Sequence, residues 1–316
     1  MPSKFSLAGA LALTVSLSSL AAGPLVIFHA GSLSVPVARL TQAFGELHPQ
    51  VAFAPESSGS LVAAKKVSEL GREADLVLSA DWQVIERLLV PDHAGFCIQF
   101  ARNELVIAYT DRSLYADEMT ADNWYRILLR EGVIYGHSDP DLDPCGYRTL
   151  MAWQLAEPFY QVPGLYGDLV SHCPPGNVRP KAVELVALLQ SGDMDYAFEY
   201  RSVAVQHGLR FVALPPELNL GHPKFAEFYS QAAVEIAGKA PGETMTIVGA
   251  PIVYGVTIPY SAPHPELAWE FLAFLLGPEG QRILSDCGQP PLSPPVASSG
   301  WAELPPGIRA LVAPQE

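Results

Sequence analysis

The sequence predicts an α/β protein built as two lobes, each a doubly wound mixed sheet flanked by helices. Its 316 residues exceed the usual size of one domain, so two structural units are expected. From residue 24 onward, strand-like and helix-like segments alternate, and the alternation recurs in the second half of the chain. Hydrophobic residues make up 49% and charged residues 16%, a composition typical of a globular protein with a core in each lobe.

The first lobe is predicted from a repeated strand-then-helix pattern. Short apolar runs bounded by polar turns indicate strands, and apolar residues spaced three or four apart indicate helices. The predicted elements are strands over 25–30, 51–55 and 74–80 and helices over 35–47, 60–70 and 81–89. Ligands of such sheets bind at the carboxyl ends of the strands, so the turns after these strands are candidate binding positions.

The second half repeats the pattern after a strand over 99–110 that is predicted to cross between the lobes. Residues 223–238 fit either a helix or a segment that contains a strand, and the proline-rich tail 288–312 is expected to be irregular. The other predicted elements are helices over 123–130, 143–160 and 181–192, two helices within 264–288, strands over 132–138 and 195–200, and a β-rich return over 246–259.

The chain is predicted to cross between the two lobes twice. The first lobe then comprises residues 24–103 with 251–316, and the second lobe comprises residues 104–250. The hinge is expected in the strands near 100–106 and 248–256, because these segments carry the crossings.

Residues 1–22 are typical of a secretory signal peptide. Lys4 precedes an apolar run that ends in the small residues Ser19, Ala21 and Ala22, and we expect cleavage near Ala22. The protein is therefore expected in the periplasm or another extracytoplasmic compartment. The formal net charge is −14 and the sequence has no basic block, which argues against nucleic acid as a partner.

The four cysteines do not form a metal-binding pattern. They lie at Cys97, Cys145, Cys173 and Cys287, and no two of them have the C-x-x-C spacing of a zinc site. In an exported protein one or two disulfides are compatible with this spacing, and the sequence allows three full pairings.

Four strand-to-helix junctions carry residues suited to holding a small oxyanion. A helix N-terminus has unsatisfied N–H groups and about half a positive charge, so it can bind an anion without a cationic side chain. A serine at such a junction can cap the helix and can donate its hydroxyl proton. The junctions are Gly31-Ser32, Gly59-Ser60, Asp143 to Gly146, and Asn177 to Pro180.

The third junction lies in the unusual sequence SDPDLDPCGYR. Asp143 is predicted to be the N-cap of a helix with Pro144 in its first turn, and the turn is expected to expose the N–H groups of Cys145 and Gly146. Alternating aspartates also suggest a calcium loop. That template fails, because its sixth position is Pro144 instead of glycine and its twelfth is Leu150 instead of glutamate.

Motifs of catalysis and of nucleotide binding are missing from the sequence. Neither Gly-Ser junction has the second glycine of a G-x-S-x-G nucleophile elbow, and there is no GxGxxG or Walker loop. His29 ends an apolar strand and is interpreted as a structural histidine. Tyr200 ends the strand over 195–200, where its phenol can either pack or donate one hydrogen bond to an anion.

The motifs FHAGSLS, SSGSLVAAKK, FARNELVIAYT, SDPDLDPCGYR and FEYRSVAVQHGL occur in the order found in periplasmic molybdate/tungstate-binding proteins. The chain resembles the tungstate-type branch of that family over about residues 24–288. The resemblance implies a type II periplasmic binding protein, not an enzyme and without a cofactor, that acts as a monomer and delivers tungstate or molybdate to the permease of an ABC importer. Carried over residue by residue, the implied ligand contacts are Ser32, Ser60, Asp143, Pro144, Cys145 and Tyr200, with Ser58 as a secondary candidate.

One position departs from the pattern of the family that the chain resembles. A glutamate usually follows the segment that matches Arg179 to Lys181, and in the family it joins the aspartate of the DPC motif at the metal. Here the position is Ala182, and Glu184 lies roughly 200° further around the helix. We therefore expect tetrahedral binding of the oxyanion by neutral donors, with at most one carboxylate, Asp143, near the metal.

Two other functions fit the same predicted fold. The first is the binding of sulfate, phosphate or an organic anion. If the ligand is tungstate or molybdate, selectivity against sulfate is expected to depend mainly on the size of the cavity. The second is a sensor that has kept the fold without a transport role. Calorimetry with several oxyanions separates the ligand classes.

Overall fold

The computed structural model describes residues 23–238 and 242–315. The predicted signal peptide, residues 1–22, lies outside this range. Within the described ranges, no helix combines the length and the apolar character that crossing a membrane requires.

The strands alternate with helices along most of the chain, as the sequence predicts. They are β1 (Leu25–Ala30), β2 (Phe53–Ser58), β3 (Leu76–Ser79), β4 (Cys97–Arg102), β5 (Leu105–Tyr109), β6 (Tyr135–Ser138), β7 (Val178–Arg179), β8 (Tyr196–Tyr200), β9 (Arg210–Ala213), β10 (Ala233–Ala237), β11 (Thr244–Val248), β12 (Val253–Thr257), β13 (Pro291–Ser299) and β14 (Ala313–Pro314).

The helices range from one turn to more than four turns. They are α1 (Ser34–Leu47), α2 (Ser60–Ser68), α3 (Trp82–Leu88), α4 (Trp124–Leu128), α5 (Pro144–Tyr160), α6 (Leu165–Ser171), α7 (Val183–Ser191), α8 (Arg201–Gln206), α9 (Ala226–Tyr229), α10 (Pro265–Leu276), α11 (Pro278–Asp286) and α12 (Pro306–Arg309). Short 3-10 turns cover Gly31–Leu33, Pro175–Asn177, Pro223–Phe225 and Trp301–Glu303.

The strands that the structure describes form two mixed sheets and one hairpin. The seven-stranded sheet has the order β14-β13-β4-β12-β3-β1-β2, so it combines strands from the beginning and the end of the chain. The five-stranded sheet has the order β7-β6-β8-β5-β9, and β10 pairs with β11. Parallel pairs such as β1 with β3 and β6 with β8 lie beside antiparallel pairs such as β12 with β3. The predicted α/β class with mixed sheets is confirmed.

Apolar side chains at helical spacing hold α1 against the seven-stranded sheet. Val37, Leu40 and Phe44 lie on one face of α1 and are nearly inaccessible to solvent. The Phe44 ring meets Phe271 edge-on at a centroid distance of 5.2 Å and Phe53 at 6.2 Å. This packing places the start of α1, and hence the first Gly-Ser junction, at the carboxyl end of β1.

The predicted strand over 99–110 is two strands, β4 and β5, that belong to different sheets. The chain leaves the seven-stranded sheet after Arg102 and joins the five-stranded sheet at Leu105. Asn103 lies in the break, where its side-chain oxygen accepts from the backbone N–H of Glu104 at 3.0 Å. An apolar-polar pattern does not reveal such a break, because both strands are rich in buried residues.

The expectation of an irregular tail over 288–312 is wrong, because the segment holds a strand and, after it, a 3-10 turn and the short helix α12. Pro291–Ser299 forms β13, which pairs antiparallel with β4 and has register shifts between Pro291 and Val296. Prolines are tolerated here because β14 covers only two residues of the other edge, so few backbone donors are needed. Residues 223–238, for which the sequence allowed either a helix or a segment with a strand, form a 3-10 turn, the short helix α9 and the strand β10.

The fourth predicted junction starts later than the sequence indicates. Val178 and Arg179 form β7, which pairs parallel with β6, so the backbone there is extended. Helix α7 begins at Val183. The N-terminal groups of this helix therefore lie around Ala182 instead of Asn177 to Pro180.

Candidate functional site

The turns after several strands of both sheets meet at one place. Gly59 follows β2 and lies so close to the chain before α5 that a Cβ atom on it would be 2.1 Å from the carbonyl oxygen of Leu142. A Cβ on Gly31, after β1, would lie 3.2 Å from a methyl of Val183 at the start of α7. The first, second and third predicted junctions and the start of α7 are therefore neighbours.

The sequence suggested that the hydroxyl of Ser60 caps α2, but the structure shows a different role. No side-chain cap is present at α2, and the Ser60 Oγ instead accepts a hydrogen bond from the backbone N–H of Ala80, at 2.9 Å. Ser32 likewise makes no capping hydrogen bond. Since a backbone N–H can only donate, the proton of the fully buried Ser60 hydroxyl remains to be given to another acceptor.

Arg148 of α5 connects this serine turn to Tyr200. Its Nη1 donates to the carbonyl oxygen of Ala80 at 2.8 Å and to the Tyr200 hydroxyl at 2.6 Å. Its Nη2 lies 3.0 Å from Oδ2 of Asp81, which also accepts from the Tyr147 hydroxyl at 2.6 Å. The guanidinium thus joins the end of β3 in one sheet to the end of β8 in the other.

The phenol of Tyr200 is prepared to donate a hydrogen bond. Its oxygen accepts from Arg148, which has no acceptor, so the phenol proton is left over. Burial raises the pKa of Tyr200 well above its usual value, so the hydroxyl keeps that proton at neutral pH. Tyr200 therefore matches Ser60 as a neutral donor from the opposite sheet.

Ser32 forms a further hydroxyl group contact near Ser60 and Tyr200, with Tyr254. Its Oγ lies 2.8 Å from the Tyr254 hydroxyl, which also receives a hydrogen bond of 3.0 Å from the side-chain amide of Asn103. The rings of Tyr254 and Tyr200 are 6.0 Å apart between centroids. The structure therefore brings the predicted residues Ser32, Ser60 and Tyr200 into one connected cluster.

Asp143 is the N-cap of α5, as predicted, and it also anchors α7. One carboxyl oxygen accepts from the N–H of Cys145 at 3.1 Å and the other from the N–H of Ala182 at 2.8 Å. Burial raises the pKa of Asp143 to about 6, although both hydrogen bonds favour the charged form. Pro144 occupies the first turn of the helix.

The expectation that this turn exposes two N–H groups is wrong. The N–H of Cys145 is taken by the Asp143 carboxylate, and the N–H of Gly146 donates to the Asp143 carbonyl at 3.0 Å. Asp143 lies directly before the helix, so its carboxylate and carbonyl oxygens accept from these two N–H groups locally. The Cys145 thiol is fully buried, with Sγ 3.7 Å from the carbonyl oxygen of Phe198.

Ser58 lies at the edge of the cluster beside a cation. Its Oγ accepts from Nζ of Lys66 at 3.1 Å, and the same ammonium lies 2.7 Å from Glu56. Hydrogen bonds from Arg72 and Lys66 lower the pKa of Glu56 to about 2. Ser58 is only partly buried, which separates it from the enclosed Ser32 and Ser60.

Comparison with known proteins identifies the family. The model of the bacterial extracellular solute-binding proteins matches residues 25–288. The chain belongs to this family. An uncharacterized solute-binding protein of Petrotoga mobilis is 50% identical over 86% of this chain and 85% of its own length. The molybdate/tungstate-binding protein WtpA of Pyrococcus abyssi is 42% identical over 91% and 89%.

A solved structure shows the same fold for a solute-binding protein of low sequence similarity. The periplasmic molybdate-binding protein of Azotobacter vinelandii superposes with a TM-score of 0.61 at 17% identity, covering 83% of this chain and 97% of that one. The likeness in fold agrees with the family resemblance that the sequence motifs indicated.

Sequence reasoning missed several residues that shape the site of this solute-binding protein. Arg148, Asp81 and Asn103 lie on different elements, and their roles depend on contacts between the two sheets. The only local signal was the arginine in DPCGYR, which falls on a helix where most neighbours are buried and apolar. A charged residue in such a position is buried only when it is paired.

Glu199 is a second unexpected feature of this family member. It is fully buried, and neither carboxyl oxygen has a hydrogen-bond partner among the described residues. Burial raises its pKa well above the usual value, with a further contribution from the charge of Asp143; the nearby backbone N–H of Tyr200, which does not reach hydrogen-bond geometry, lowers the pKa. In the parts of the chain that the structure describes, no group of three or more His, Cys, Asp or Glu residues is arranged to hold a metal ion.

Proposed function

We propose that this solute-binding protein captures tungstate or molybdate between two lobes and delivers it to the permease of an ABC importer. The observation that supports this most directly is the pair Ser60 and Tyr200. Each hydroxyl is buried and already accepts from an obligatory N–H donor, so each has one proton to offer. Donors without free acceptors suit a fully deprotonated oxyanion.

The same argument ranks the alternative ligands. Phosphate carries a proton near neutral pH and therefore requires an acceptor in its site. Both oxygens of Asp143 are held by backbone N–H groups of two helices, so this carboxylate is not free to turn toward a phosphate proton. Sulfate remains as the second candidate, because it is fully deprotonated and differs from tungstate mainly in size.

Isothermal titration calorimetry with tungstate, molybdate, sulfate and phosphate tests the proposal. We expect binding of tungstate and molybdate, weaker binding of sulfate and none of phosphate. Ser60→Ala and Tyr200→Phe should each lower the affinity by roughly tenfold to a hundredfold, the range for a hydrogen bond to a charged group. Binding of sulfate or an organic anion in preference to tungstate and molybdate would overturn the assignment of the ligand.

We further propose that the bound oxyanion stays tetrahedral. The support is Ala182, whose side chain offers no ligand, and Asp143, whose carboxylate already holds two backbone N–H groups. X-ray absorption at the tungsten edge should show four short W–O distances. Six oxygen neighbours would contradict this geometry and would point to Asp143 and Glu199 as the added carboxylates.

The lobes are proposed to be residues 24–103 with 251–316 and residues 104–250, closing about the crossings near Asn103 and near 248–256. The extracytoplasmic location, the cleaved signal in residues 1–22, the monomeric state and the lack of catalysis belong to the same proposal. The family match supports the location. Mass spectrometry of exported protein and sedimentation of the purified chain test the cleavage site and the monomer.

A further inference from the structure

The amide of Asn103 has only one orientation that agrees with its neighbours. Its Oδ1 lies 3.0 Å from the backbone nitrogen of Glu104 and 3.3 Å from that of Ser202. Backbone N–H groups only donate, so this atom must be the oxygen. The nitrogen Nδ2 therefore faces the hydroxyls of Ser202, at 2.8 Å, and Tyr254, at 3.0 Å, and gives one proton to each.

This orientation sets the direction of the next hydrogen bond. The Tyr254 oxygen accepts from Asn103, so its own proton needs another acceptor, and Ser32 Oγ lies 2.8 Å away. The side-chain amide of Gln289 also lies beside the phenol, but neither of its polar atoms reaches hydrogen-bond geometry with any residue that the structure describes. Tyr254 is therefore the donor and Ser32 the acceptor. The proton of Ser32 then has no acceptor in the described protein.

We propose that Asn103 and Tyr254 are positioning residues, which make Ser32 a donor to the bound oxyanion. The hydrogen bonds all point in one direction, from the Asn103 amide through the Tyr254 phenol to the Ser32 hydroxyl. All three side chains are at most 5% exposed, so water does not compete for these positions. This inference rests on the proposed function, because it concerns how the same site holds its ligand.

The position of Asn103 also links the donor to the arrangement of the two sheets. Asn103 lies in the crossing between β4 and β5, and it bonds both the backbone and the hydroxyl of Ser202 in α8. Tyr254 and Ser32 belong to the other side, on β12 and after β1. The hydroxyl of Ser32 is therefore oriented only while the crossing and α8 keep their places, which ties the direction of this donor to the relative placement of the two sheets.

A double-mutant cycle measured by tungstate calorimetry tests the chain. Ser32→Ala should lower the affinity roughly tenfold to a hundredfold, and Tyr254→Phe about threefold to tenfold, because the serine hydroxyl remains but loses its orientation. In the Ser32→Ala background, Tyr254→Phe should have no further effect. A loss by the same factor in both backgrounds would show that Tyr254 acts independently of Ser32, and it would overturn the proposal.

Asn103→Asp provides a second test with nearly the same shape. The carboxylate can accept from the N–H groups of Glu104 and Ser202 and also from Tyr254, which reverses the chain and turns the lone pairs of Ser32 toward the ligand. We expect a loss at least as large as that of Ser32→Ala, because the added negative charge also repels the anion. Unchanged affinity of Asn103→Asp would contradict the inference.

Two controls separate the possible reasons for failure. Tyr135→Phe removes another buried phenol, which donates to the Leu169 carbonyl at 2.7 Å, and should leave the affinity unchanged. Thermal unfolding without ligand measures any loss of stability in each variant. If Tyr254 had only a structural role, its replacement would lower stability, but the affinity losses of Tyr254→Phe and Ser32→Ala would be additive. If the wild-type protein itself does not bind tungstate or molybdate, the proposed function is wrong. If it binds and the cycle is additive, only the inference about the hydrogen-bond chain from Asn103 to Ser32 is wrong.

Discussion

The carboxylate of Asp143 accepts a hydrogen bond of 2.8 Å from the backbone N–H of Ala182, and this bond joins the cap of α5 to the beginning of α7. The second carboxyl oxygen holds the N–H of Cys145 in α5. One buried side chain thus satisfies an orphan donor at the start of each of two helices. Its structural role explains why an acidic residue is present beside groups that are expected to hold an anion.

Asp143→Asn should loosen α7 while α5 keeps its cap. The amide oxygen can still accept from Cys145, but the amide nitrogen would face the N–H of Ala182, leaving two donors opposed. We expect the free energy of unfolding to fall by about 1–3 kcal/mol. Hydrogen exchange should accelerate at Ala182 and little at Cys145. Asp139→Asn, which affects only a local turn contact to Asp141, serves as the control and should leave both rates unchanged.

Glu199→Gln should change how stability depends on pH. The folded-state pKa of Glu199 lies well above 4.5, so the folded protein holds this proton while the unfolded chain has already lost it. The stabilising contribution is thus complete below about pH 4.5 and is lost as pH rises toward the folded-state pKa, by about 1.4 kcal/mol per pH unit. Glutamine lacks this loss, so the variant should gain stability relative to wild type between pH 4.5 and 7.

Urea unfolding at several pH values measures the effect of Glu199→Gln. Glu131→Gln is a suitable control, because Glu131 is exposed and its replacement does not change any buried carboxyl group. A constant difference between Glu199→Gln and wild type across this pH range would mean that Glu199 titrates normally in the folded protein.

Arg148→Met should be among the most damaging single changes. It leaves the carboxylate of Asp81, 6% exposed, without its cation, and removes the donor to Tyr200. Breaking a buried pair in this way costs about 3–5 kcal/mol in the free energy of unfolding. The double variant with Asp81→Asn should lose less than the sum of the two single losses. Arg282→Met, which breaks exposed pairs with Glu279 and Asp286, should leave the free energy of unfolding nearly unchanged.

Gly59→Ala should weaken ligand binding through the backbone. An added Cβ would overlap the carbonyl of Leu142, so the serine turn could no longer lie against the chain before α5. We expect the affinity for tungstate to fall at least about tenfold, as for the loss of one hydrogen bond to a charged ligand. Gly167→Ala has open space around its Cβ and should bind as wild type does. Equal affinities of the two variants would show that the close contact is not required for binding.

Much of the fold was predictable because its causes are local. The apolar periodicity of α1 and the sequence Asp143-Pro144 determine a buried helix face and a helix start within a few residues. The break at Asn103 and the strand Pro291–Ser299 depend on pairing with distant segments, which no local pattern contains. A polar residue between two apolar runs, and prolines in a tail, therefore led to the wrong expectation in both places.

The candidate site divides in the same way. Ser32 and Ser60 lie just after strands and Tyr200 ends one, so their shared location follows from the rule that ligands of a doubly wound sheet bind at the strand ends. The direction of their hydrogen bonds depends on Ala80, Arg148 and Tyr254, which lie 20 to 222 residues away along the chain. The sequence indicates which hydroxyls are available, while only the three-dimensional contacts decide which of them donate.

The cysteines make folding of this chain independent of oxidation. All four are free thiols with little or no exposure, and burial raises the pKa of Cys97, Cys145 and Cys173, so the reactive thiolate is scarce. Protein produced in a reducing cytoplasm should therefore match protein secreted into an oxidising compartment, and neither dithiothreitol nor a disulfide catalyst should alter its yield. The native chain should also resist thiol-labelling reagents until it unfolds, which makes labelling a convenient clock for its opening.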